Sequence, residues 1–208
     1  MSKVEVTVID YGMGNLWSVQ SALKYLNCHV TITSDLPTIK AAKVLVLPGV
    51  GSFRKAMETL QKSQLDEAIL ESVVKNGNKI LGICLGMQLL GKKSSEDGET
   101  LGLGLIPANV DEFALKEVES NKVPHIGFDQ VMSSGGGRLF QGLPDNPDFY
   151  FVHSYRMLAN GLGGNYATCR YGIDFLAAYE NDNVFATQFH PEKSQTNGLI
   201  LLRNFLAA

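Results

Sequence analysis

The order of strands and helices in the first half of the chain is the feature that most limits its fold. Short apolar stretches typical of β-strands alternate there with stretches of helical composition. We predict strands at 4–9, 29–33, 43–47 and 79–83, and helices at 16–26, at 53–76 with a break near Ser63, and from Cys84 through Gly91. Parallel strands need such crossovers between them, so this order predicts right-handed βαβ units in a parallel sheet.

The second half of the chain has a different pattern, with strand-like stretches joined by polar or glycine-rich turns. We predict strands at 103–113, 122–132, 149–156, 175–180 and 184–189, a loop at 133–138 and a final helix at 196–206. The segment Asn181-Asp-Asn183 lies between the last two strands and is a hairpin signal. The predicted fold class is therefore α/β, a three-layer αβα arrangement with a mostly parallel sheet and added antiparallel strands, in a single domain over 1–208.

Composition and charge exclude several kinds of function. The chain has 18 basic and 21 acidic residues, a net charge of -3 and no basic tract, which disfavours binding to nucleic acid or anionic membranes. An uninterrupted apolar span of about 18 residues is missing, so we expect no transmembrane helix. Three cysteines without a C-x-x-C pair argue against a disulfide framework or a zinc site, and we interpret Cys28 and Cys169 as core residues. We expect a cytoplasmic protein that needs no metal and no cofactor.

The strongest local signal lies at the end of the fourth predicted strand, where Gly82-Ile-Cys-Leu-Gly86 leads directly into a helix. A nucleophile on a tight strand-to-helix turn needs neighbours without Cβ atoms, and this spacing has the form of a nucleophile elbow with Cys84 in place of serine. The helix start directs backbone N–H groups at the thiol, and that of Leu85 is a natural oxyanion donor. Gln88 lies one helical turn further on the same face. The alternative is that Cys84 is a small buried hydrophobic residue.

A cysteine nucleophile of this kind needs a base, and the chain has only four histidines. His29 opens a predicted strand, and we interpret it as structural. His190 ends another predicted strand, because Pro191 cannot donate to a sheet ladder. Glu192 lies two positions on, so in an extended chain its carboxylate leaves the same face and can orient the imidazole. The alternative is a surface His and Glu at a strand terminus.

The loop Pro48-Gly-Val-Gly-Ser52 follows a predicted core strand at the carboxyl edge of the sheet, where open α/β folds bind ligands. Glycines on both sides of Val50 leave its peptide units free to reorient, so the Val50–Gly51 region can present a second N–H to an oxyanion. A phosphate cradle is the rival interpretation, but no G-K-[ST] follows. The Gly12-Met-Gly-Asn15 turn matches only a fragment of a dinucleotide fingerprint.

Two motifs together resemble the triad-type (class I) glutamine amidotransferases: Gly82-Ile-Cys-Leu-Gly-Met-Gln88 and Phe189-His-Pro-Glu192. Further strings are similar to the glutaminase subunits of imidazole glycerol phosphate synthase, from histidine biosynthesis. These strings are Ile9-Asp-Tyr-Gly-Met-Gly-Asn-Leu16, Leu47-Pro-Gly-Val-Gly-Ser-Phe53, Pro124-His-Ile-Gly-Phe128, Tyr150-Phe-Val-His-Ser-Tyr155 and His190-Pro-Glu-Lys-Ser-Gln195. They occur in that order over essentially the whole chain.

The resemblance implies a role for each matching position and a partner. It implies a catalytic triad of Cys84, His190 and Glu192. The implied oxyanion hole consists of Val50, Gly51 and Leu85. The residues implied around bound glutamine are Gly51, Gln88, His153, Ser154 and Tyr155. The implied partner is a (β/α)8-barrel cyclase subunit, forming a heterodimer that receives ammonia, and the positions near that boundary are Asn15, Phe128 and Lys193.

One departure from the family pattern leaves alternatives open. The family often has Trp and then Asn after Pro-His-x-Gly, whereas this chain has Phe128 and Asp129. Phenylalanine keeps an apolar ring but loses the indole N–H donor. A paralogous subunit that feeds ammonia to another synthase, for example in sugar amidination or anthranilate-type synthesis, remains an alternative. A cysteine hydrolase acting without a partner and a non-enzymatic binding module are the others.

Overall fold

Four parallel strands with helical crossovers form the first part of a large sheet. The computed structural model describes residues 3–114, 116, 118 and 122–208. The strands are β1 (Glu5–Ile9), β2 (His29–Thr33), β3 (Val44–Gly49) and β4 (Lys79–Cys84). The helices are α1 (Leu16–Tyr25), α2 (Leu36–Ala41), α3 (Phe53–Lys62), α4 (Leu65–Leu70), which continues as a π-helical turn at Glu71–Lys75, and α5 (Leu85–Leu89). The predicted βαβ pattern and the break near Ser63 are confirmed.

The second half of the chain extends the same sheet with antiparallel strands. Its elements are β5 (Lys93–Ser94), β6 (Thr100–Leu101), β7 (Asn109–Glu112), β8 (His125–Ser133), β9 (Asp148–His153), β10 (Tyr155–Arg156), β11 (Asn165–Tyr171), β12 (Ile173–Asn181), β13 (Val184–Thr187), a 3-10 turn at Pro191–Lys193 and α6 (Gln195–Ala207). The large sheet has the order β2-β1-β3-β4-β13-β12-β11-β8-β9, and a small sheet has the order β10-β7-β5-β6. Because β13 lies parallel to β4, the end of β13 comes to the edge where β4 ends.

The structure corrects several sequence predictions in this half. The predicted strand at 103–113 is wrong over most of its length, since only Asn109–Glu112 is a strand. The preceding segment folds back on the end of α5, where Leu103 and Ile106 donate backbone hydrogen bonds to the carbonyls of Leu89 and Leu90. The predicted strand at 149–156 is interrupted at Ser154. Three strands of this half, β5, β6 and β11, were not predicted, and neither was α2 in the first half. The hairpin at 181–183 is confirmed.

Apolar side chains cover both faces of the large sheet. On one face, α1 and α6 pack through residues such as Leu23 and Phe205, and on the other α3, α4 and α5 pack through residues such as Leu60 and Leu89. Burial on both faces leaves the carboxyl edge of the parallel strands as the place for a site. Within the described part of the chain, no helix has the length and apolar character needed to cross a bilayer.

Candidate active site

The sharp turn between β4 and α5 holds Cys84 in a strained conformation. Its backbone has φ 55° and ψ -111°, a region that non-glycine residues seldom adopt. A Cβ atom on Gly82 would lie 2.8 Å from the Gly86 carbonyl oxygen, and one on Gly86 would lie 1.7 Å from the Leu47 oxygen. Both glycines are therefore required by close backbone approach, as the spacing around Cys84 predicts.

A cavity of about 280 Å³ opens at this turn and brings most of the predicted site residues together. That volume is near the lower end of small-molecule sites, at roughly 300 Å³. The lining residues are Val50, Gly51, Cys84, Leu85, Gln88, Glu96, Val152, His153, Ser154, Tyr155 and His190. Cys84 and His190 face the same cavity because the parallel pairing of β4 with β13 aligns their carboxyl ends.

His190 is held by Glu192 behind the cavity wall. Its Nδ1 lies 2.8 Å from Glu192 Oε1, and both side chains are almost completely buried. The predicted geometry is wrong here, because Glu192 lies in the 3-10 turn at Pro191–Lys193 and not in extended chain. The turn brings the carboxylate back to the ring all the same, so the predicted contact forms. Among the described residues, His190 Nε2 has no hydrogen-bond partner.

The charges beside His190 change its proton affinity. Burial alone lowers the pKa of His190, but the negative charges of an ionised Cys84 and of the Glu192 carboxylate beside the ring outweigh burial and raise that pKa to about 10. His190 is therefore an imidazolium at neutral pH. A cation at this position stabilises thiolate at Cys84 and can deliver a proton to a leaving group.

Two glutamine side chains connect Cys84 to the far wall of the cavity. The Gln188 amide donates to Cys84 Sγ over 3.7 Å, and its Oε1 accepts from Gln88 Nε2 over 3.0 Å. Gln88 Nε2 also donates to the Tyr155 carbonyl over 3.1 Å. Gln88 thus lies on the predicted face and joins the nucleophile to the segment at 153–155.

His153 forms the wall of the cavity without offering a free ring nitrogen to it. Its Nδ1 donates to the Tyr155 carbonyl over 2.8 Å, and its Nε2 lies 3.1 Å from His125 Nδ1. Burial lowers the pKa of His153 to about 3; the bond to the Tyr155 carbonyl opposes this effect, and the nearby His125 and His190 add to it. His153 is therefore neutral, and its ring is committed to the protein.

The loop after β3 places only part of an oxyanion hole. Leu85 lines the cavity at the start of α5, where its N–H has no helical partner. The Val50 N–H instead donates to the Met13 carbonyl over 3.4 Å. Gly51 has φ +103°, a conformation open to glycine. The loop thus has glycine on both sides of Val50, and in this structure the Val50 N–H is bonded away from the nucleophile.

Sequence reasoning missed two polar residues of the site. Glu96 lines the cavity, its Oε2 accepts a 2.7 Å hydrogen bond from the Phe53 N–H, and burial raises the pKa of its carboxyl. Nothing in the polar stretch around Glu96 distinguishes it from a surface turn. Gln188 is fully buried just after β13, and its position two residues before the candidate base His190 is the sequence signal that points to it.

The remaining predicted residues lie outside the cavity. Asn15 caps α1, with its side chain accepting from the Ser18 N–H over 3.4 Å. Phe128 is 47% exposed, and the exposed Lys193 lies with its Nζ 5.7 Å from the Tyr150 ring, which Phe128 also contacts.

The other cysteines and the first histidine have no part in this cavity. Cys28 and Cys169 are buried in the core, as predicted, whereas His29 is exposed and pairs with Glu5 at the surface. In the described residues, no three acidic, histidine or cysteine side chains gather as a metal site would require.

Comparisons with known proteins agree with this geometry. The model of the family described as glutamine amidotransferase class-I matches residues 7–208. A curated relative from Moorella thermoacetica, imidazole glycerol phosphate synthase subunit HisH, is 46% identical over 96% of this chain and 93% of the relative. The protein of the same name from Geobacter sulfurreducens is 43% identical over 97% of each chain.

Solved structures share the fold at much lower identity. A structure described as a glutamine amidotransferase superposes with a TM-score of 0.72 at 21% identity, covering 97% of each chain. PurLQS from Thermotoga maritima gives a TM-score of 0.74 at 16% identity, covering 99% of each chain. On the family match and the identity to the curated relatives, this chain belongs to the class-I glutamine amidotransferase family.

Proposed function

We propose that the chain is the glutaminase subunit of an imidazole glycerol phosphate synthase and acts in histidine biosynthesis. The observation that carries this proposal is the shared cavity of Cys84 and His190, with Glu192 holding the imidazole. The names of the curated relatives supply the pathway. The match of the family model over 7–208 supports a single glutamine amidotransferase domain over 1–208.

The triad residues divide the chemistry into two acyl-transfer steps. The Cys84 thiolate attacks the side-chain amide carbon of glutamine, and the imidazolium of His190 gives its proton to the leaving nitrogen as the C–N bond breaks. Ammonia leaves, and Cys84 carries a γ-glutamyl thioester. His190, now neutral, takes a proton from water as the water attacks the thioester, so glutamate and the free thiol are released. Glu192 orients the ring and stabilises its positive charge in both steps.

Glutamine is held by the polar groups that line the cavity. The carboxylate of Glu96 suits the α-ammonium group of the substrate. The side-chain oxygen of Gln88 suits a polar donor, because both amide hydrogens of Gln88 go to Tyr155 and Gln188. Gly51, Ser154 and Tyr155 offer backbone groups around the ligand. His153 contributes to the wall but keeps both ring nitrogens on protein partners.

The oxyanion hole of the resting enzyme is incomplete, in keeping with the hydrogen bond from Val50 to Met13. The Leu85 N–H provides one donor, and a rotation of the peptide between Gly49 and Val50, which carries the Val50 N–H, provides the second. Each such donor contributes about 2.7–4 kcal/mol to stabilisation of the transition state. A resting state without the second donor limits the waste of glutamine when no acceptor is present.

Ammonia passes unprotonated to a (β/α)8-barrel cyclase subunit in a heterodimer. That partner converts a phosphoribulosyl-formimino intermediate into imidazole glycerol phosphate and an aminoimidazole carboxamide ribotide. Phe128 and Lys193 form one exposed patch around Tyr150 and suit the subunit boundary, to which we also assign Asn15. A cytoplasmic location fits a biosynthetic enzyme with three free cysteines.

Reconstitution with the cyclase subunit tests the function and its dependence on Cys84. We expect C84A to abolish synthesis driven by glutamine while ammonium salt still supports it. Glutamine-driven synthesis that survives C84A contradicts the triad, and failure of the ammonium-driven reaction with the intact complex contradicts the partner.

The switch in the oxyanion hole has a separate test. Glutamine hydrolysis by the unmodified chain is measured alone and then with the cyclase subunit and an acceptor analogue. We expect a much higher rate in the second case, and equal rates contradict an incomplete resting oxyanion hole.

A further inference from the structure

The hydroxyl group of Tyr11 is a buried polar group that the proposed chemistry does not use. Tyr11 follows β1 and packs in the apolar core on the face of the sheet that α3, α4 and α5 cover, where it is 5% exposed. Its hydroxyl oxygen is closed off from solvent and has no hydrogen-bond partner in the described part of the chain. Leaving a buried polar group unpaired costs free energy, so such a group in a native protein calls for an explanation.

The Tyr11 hydroxyl lies against Gly49, the last residue of β3. A Cβ atom on Gly49 would collide with this hydroxyl, and it would also lie 3.0 Å from Leu85 Cβ and 3.2 Å from Gly86 N at the start of α5. The hydroxyl therefore lies where the loop after β3 passes the turn of the nucleophile. It reaches that place from outside the cavity, because Tyr11 is not among the residues that line the cavity.

Tyr11 belongs to a segment that holds the loop after β3 on the side away from the nucleophile. The Val50 N–H donates to the Met13 carbonyl over 3.4 Å, and a Cβ atom on Gly51 would lie 3.1 Å from Met13 Cε. The segment at 11–13 thus contacts three consecutive residues, 49–51. Met13 offers an acceptor to them, whereas Tyr11 offers a donor that no described group accepts.

Rotation of the peptide between Gly49 and Val50 creates a need for such a donor. This peptide is trans and planar, so its N–H and its carbonyl point in opposite directions. The Val50 N–H points to Met13 in this structure, and turning it into the cavity turns the Gly49 carbonyl to the side of Met13. The Met13 carbonyl only accepts hydrogen bonds, so it cannot pair with the Gly49 carbonyl there, whereas a nearby hydroxyl can.

We propose that Tyr11 is a positioning residue for the oxyanion hole: its hydroxyl is unpaired in the resting chain and donates to the Gly49 carbonyl once the peptide has rotated. This bond stabilises the rotated state, in which the Val50 N–H faces the substrate. The role rests on the glutamine hydrolysis and the switch proposed above, and it goes beyond them by assigning a function to the motif at 9–16. Burial, with a smaller effect of the nearby Cys84, raises the pKa of Tyr11, so the hydroxyl keeps its hydrogen at neutral pH.

Gly49-Val50 is the only Gly-Val pair in the sequence, so one nuclear magnetic resonance (NMR) signal reads the peptide that rotates. The full chain, labelled with 13C-carbonyl glycine and 15N-valine, is measured in complex with the cyclase subunit before and after addition of imidazole glycerol phosphate. We expect the addition to populate a second, rotated state. In Y11F we expect the ratio of rotated to resting state to fall by about three- to tenfold, the effect of losing one hydrogen bond. An unchanged ratio overturns the proposal.

Kinetics and stability separate this role from simple packing, because phenylalanine keeps the ring of Tyr11 and removes only the donor. In the complex, we expect the kcat of Y11F for glutamine hydrolysis to fall in proportion to the rotated population while KM stays the same, since only the transition state needs the second donor. In the isolated chain, we expect Y11F to leave the urea midpoint unchanged or to raise it, because the resting chain loses no hydrogen bond. A lowered midpoint, or a fall in kcat without a change in the NMR ratio, overturns the proposal.

Y179F is the matched control. Tyr179 is another buried tyrosine of the same apolar core, but it lies on β12 beside Asn181 and does not line the cavity. We expect Y179F to leave the NMR ratio and kcat unchanged, and equal effects of Y179F and Y11F overturn the proposal. A complex of the unmodified chain that hydrolyses no glutamine contradicts the proposed function, whereas normal hydrolysis with an NMR ratio that Y11F does not change contradicts only the role of Tyr11.

Discussion

Replacing Gly86 by alanine tests whether the turn at the nucleophile is as constrained as its geometry indicates. The new Cβ would lie 1.7 Å from the Leu47 carbonyl oxygen, whereas real Cβ atoms essentially never approach closer than 3.0 Å. Leu47 lies in the buried centre of β3, so α5 and β3 must separate by more than an ångström. Overpacking costs about 1–3 kcal/mol, and we expect the upper end here because both colliding groups belong to fixed backbone.

The same displacement carries Cys84 away from His190. A misplacement of about 1 Å can cost a hundredfold in rate, so we expect G86A to lose roughly that factor in glutamine hydrolysis. Urea unfolding and hydrolysis by the complex are the assays. G82A is an intermediate case, because its Cβ would lie 2.8 Å from the Gly86 oxygen, and G163A is the control, because its Cβ meets nothing within 4 Å. Equal stability and activity of G86A and G163A would refute the close-approach argument.

Two further substitutions probe the base and the C-terminal helix. E192Q removes one of the negative charges that hold the pKa of His190 at about 10. Burial, which lowers this pKa, is then opposed less, so the pKa of His190 falls. The imidazolium is lost as the pH rises through that pKa. We therefore expect the alkaline limb of the kcat/KM profile to move to lower pH by about one to three units. An alkaline limb that does not move contradicts the role of Glu192. At the end of α6, Lys79 Nζ donates to the Phe205 and Leu206 carbonyls over 3.0 Å each. We expect K79M to lower the free energy of unfolding by about 1–2 kcal/mol and to leave glutamine hydrolysis unchanged. An unchanged urea midpoint for K79M contradicts that capping role.

Local rules predicted the parts of the site that depend on neighbours in sequence. The turn at Cys84 follows from a strand that ends between two glycines, and the loop at Val50 follows from its position after a core strand. The meeting of Cys84 with His190 was predicted from chemical need and resemblance, and the structure supplies the cause in the pairing of β4 with β13. The contact of His190 with Glu192 was predicted for a wrong geometric reason, since a 3-10 turn makes it.

The missed features depend on contacts between distant segments. The segment before β7 has an apolar composition suited to a strand, but its backbone groups satisfy the free carbonyls at the end of α5 instead. Glu96 enters the cavity because the Phe53 N–H at the start of α3, more than forty residues away in sequence, holds its carboxylate there. The hydrogen bond of Val50 to Met13 likewise joins two loops that no local pattern relates.

Labelling with a glutamine analogue that carries a chloroketone in place of the amide tests the central claim most directly. A nucleophilic thiolate at Cys84 displaces chloride and forms a stable thioether, which peptide mass spectrometry locates. We predict modification of Cys84 alone, with Cys28 and Cys169 untouched in the core, protection by glutamine, and a much slower reaction in H190A. Labelling at another residue, or a rate at Cys84 that H190A and glutamine leave unchanged, would contradict the account.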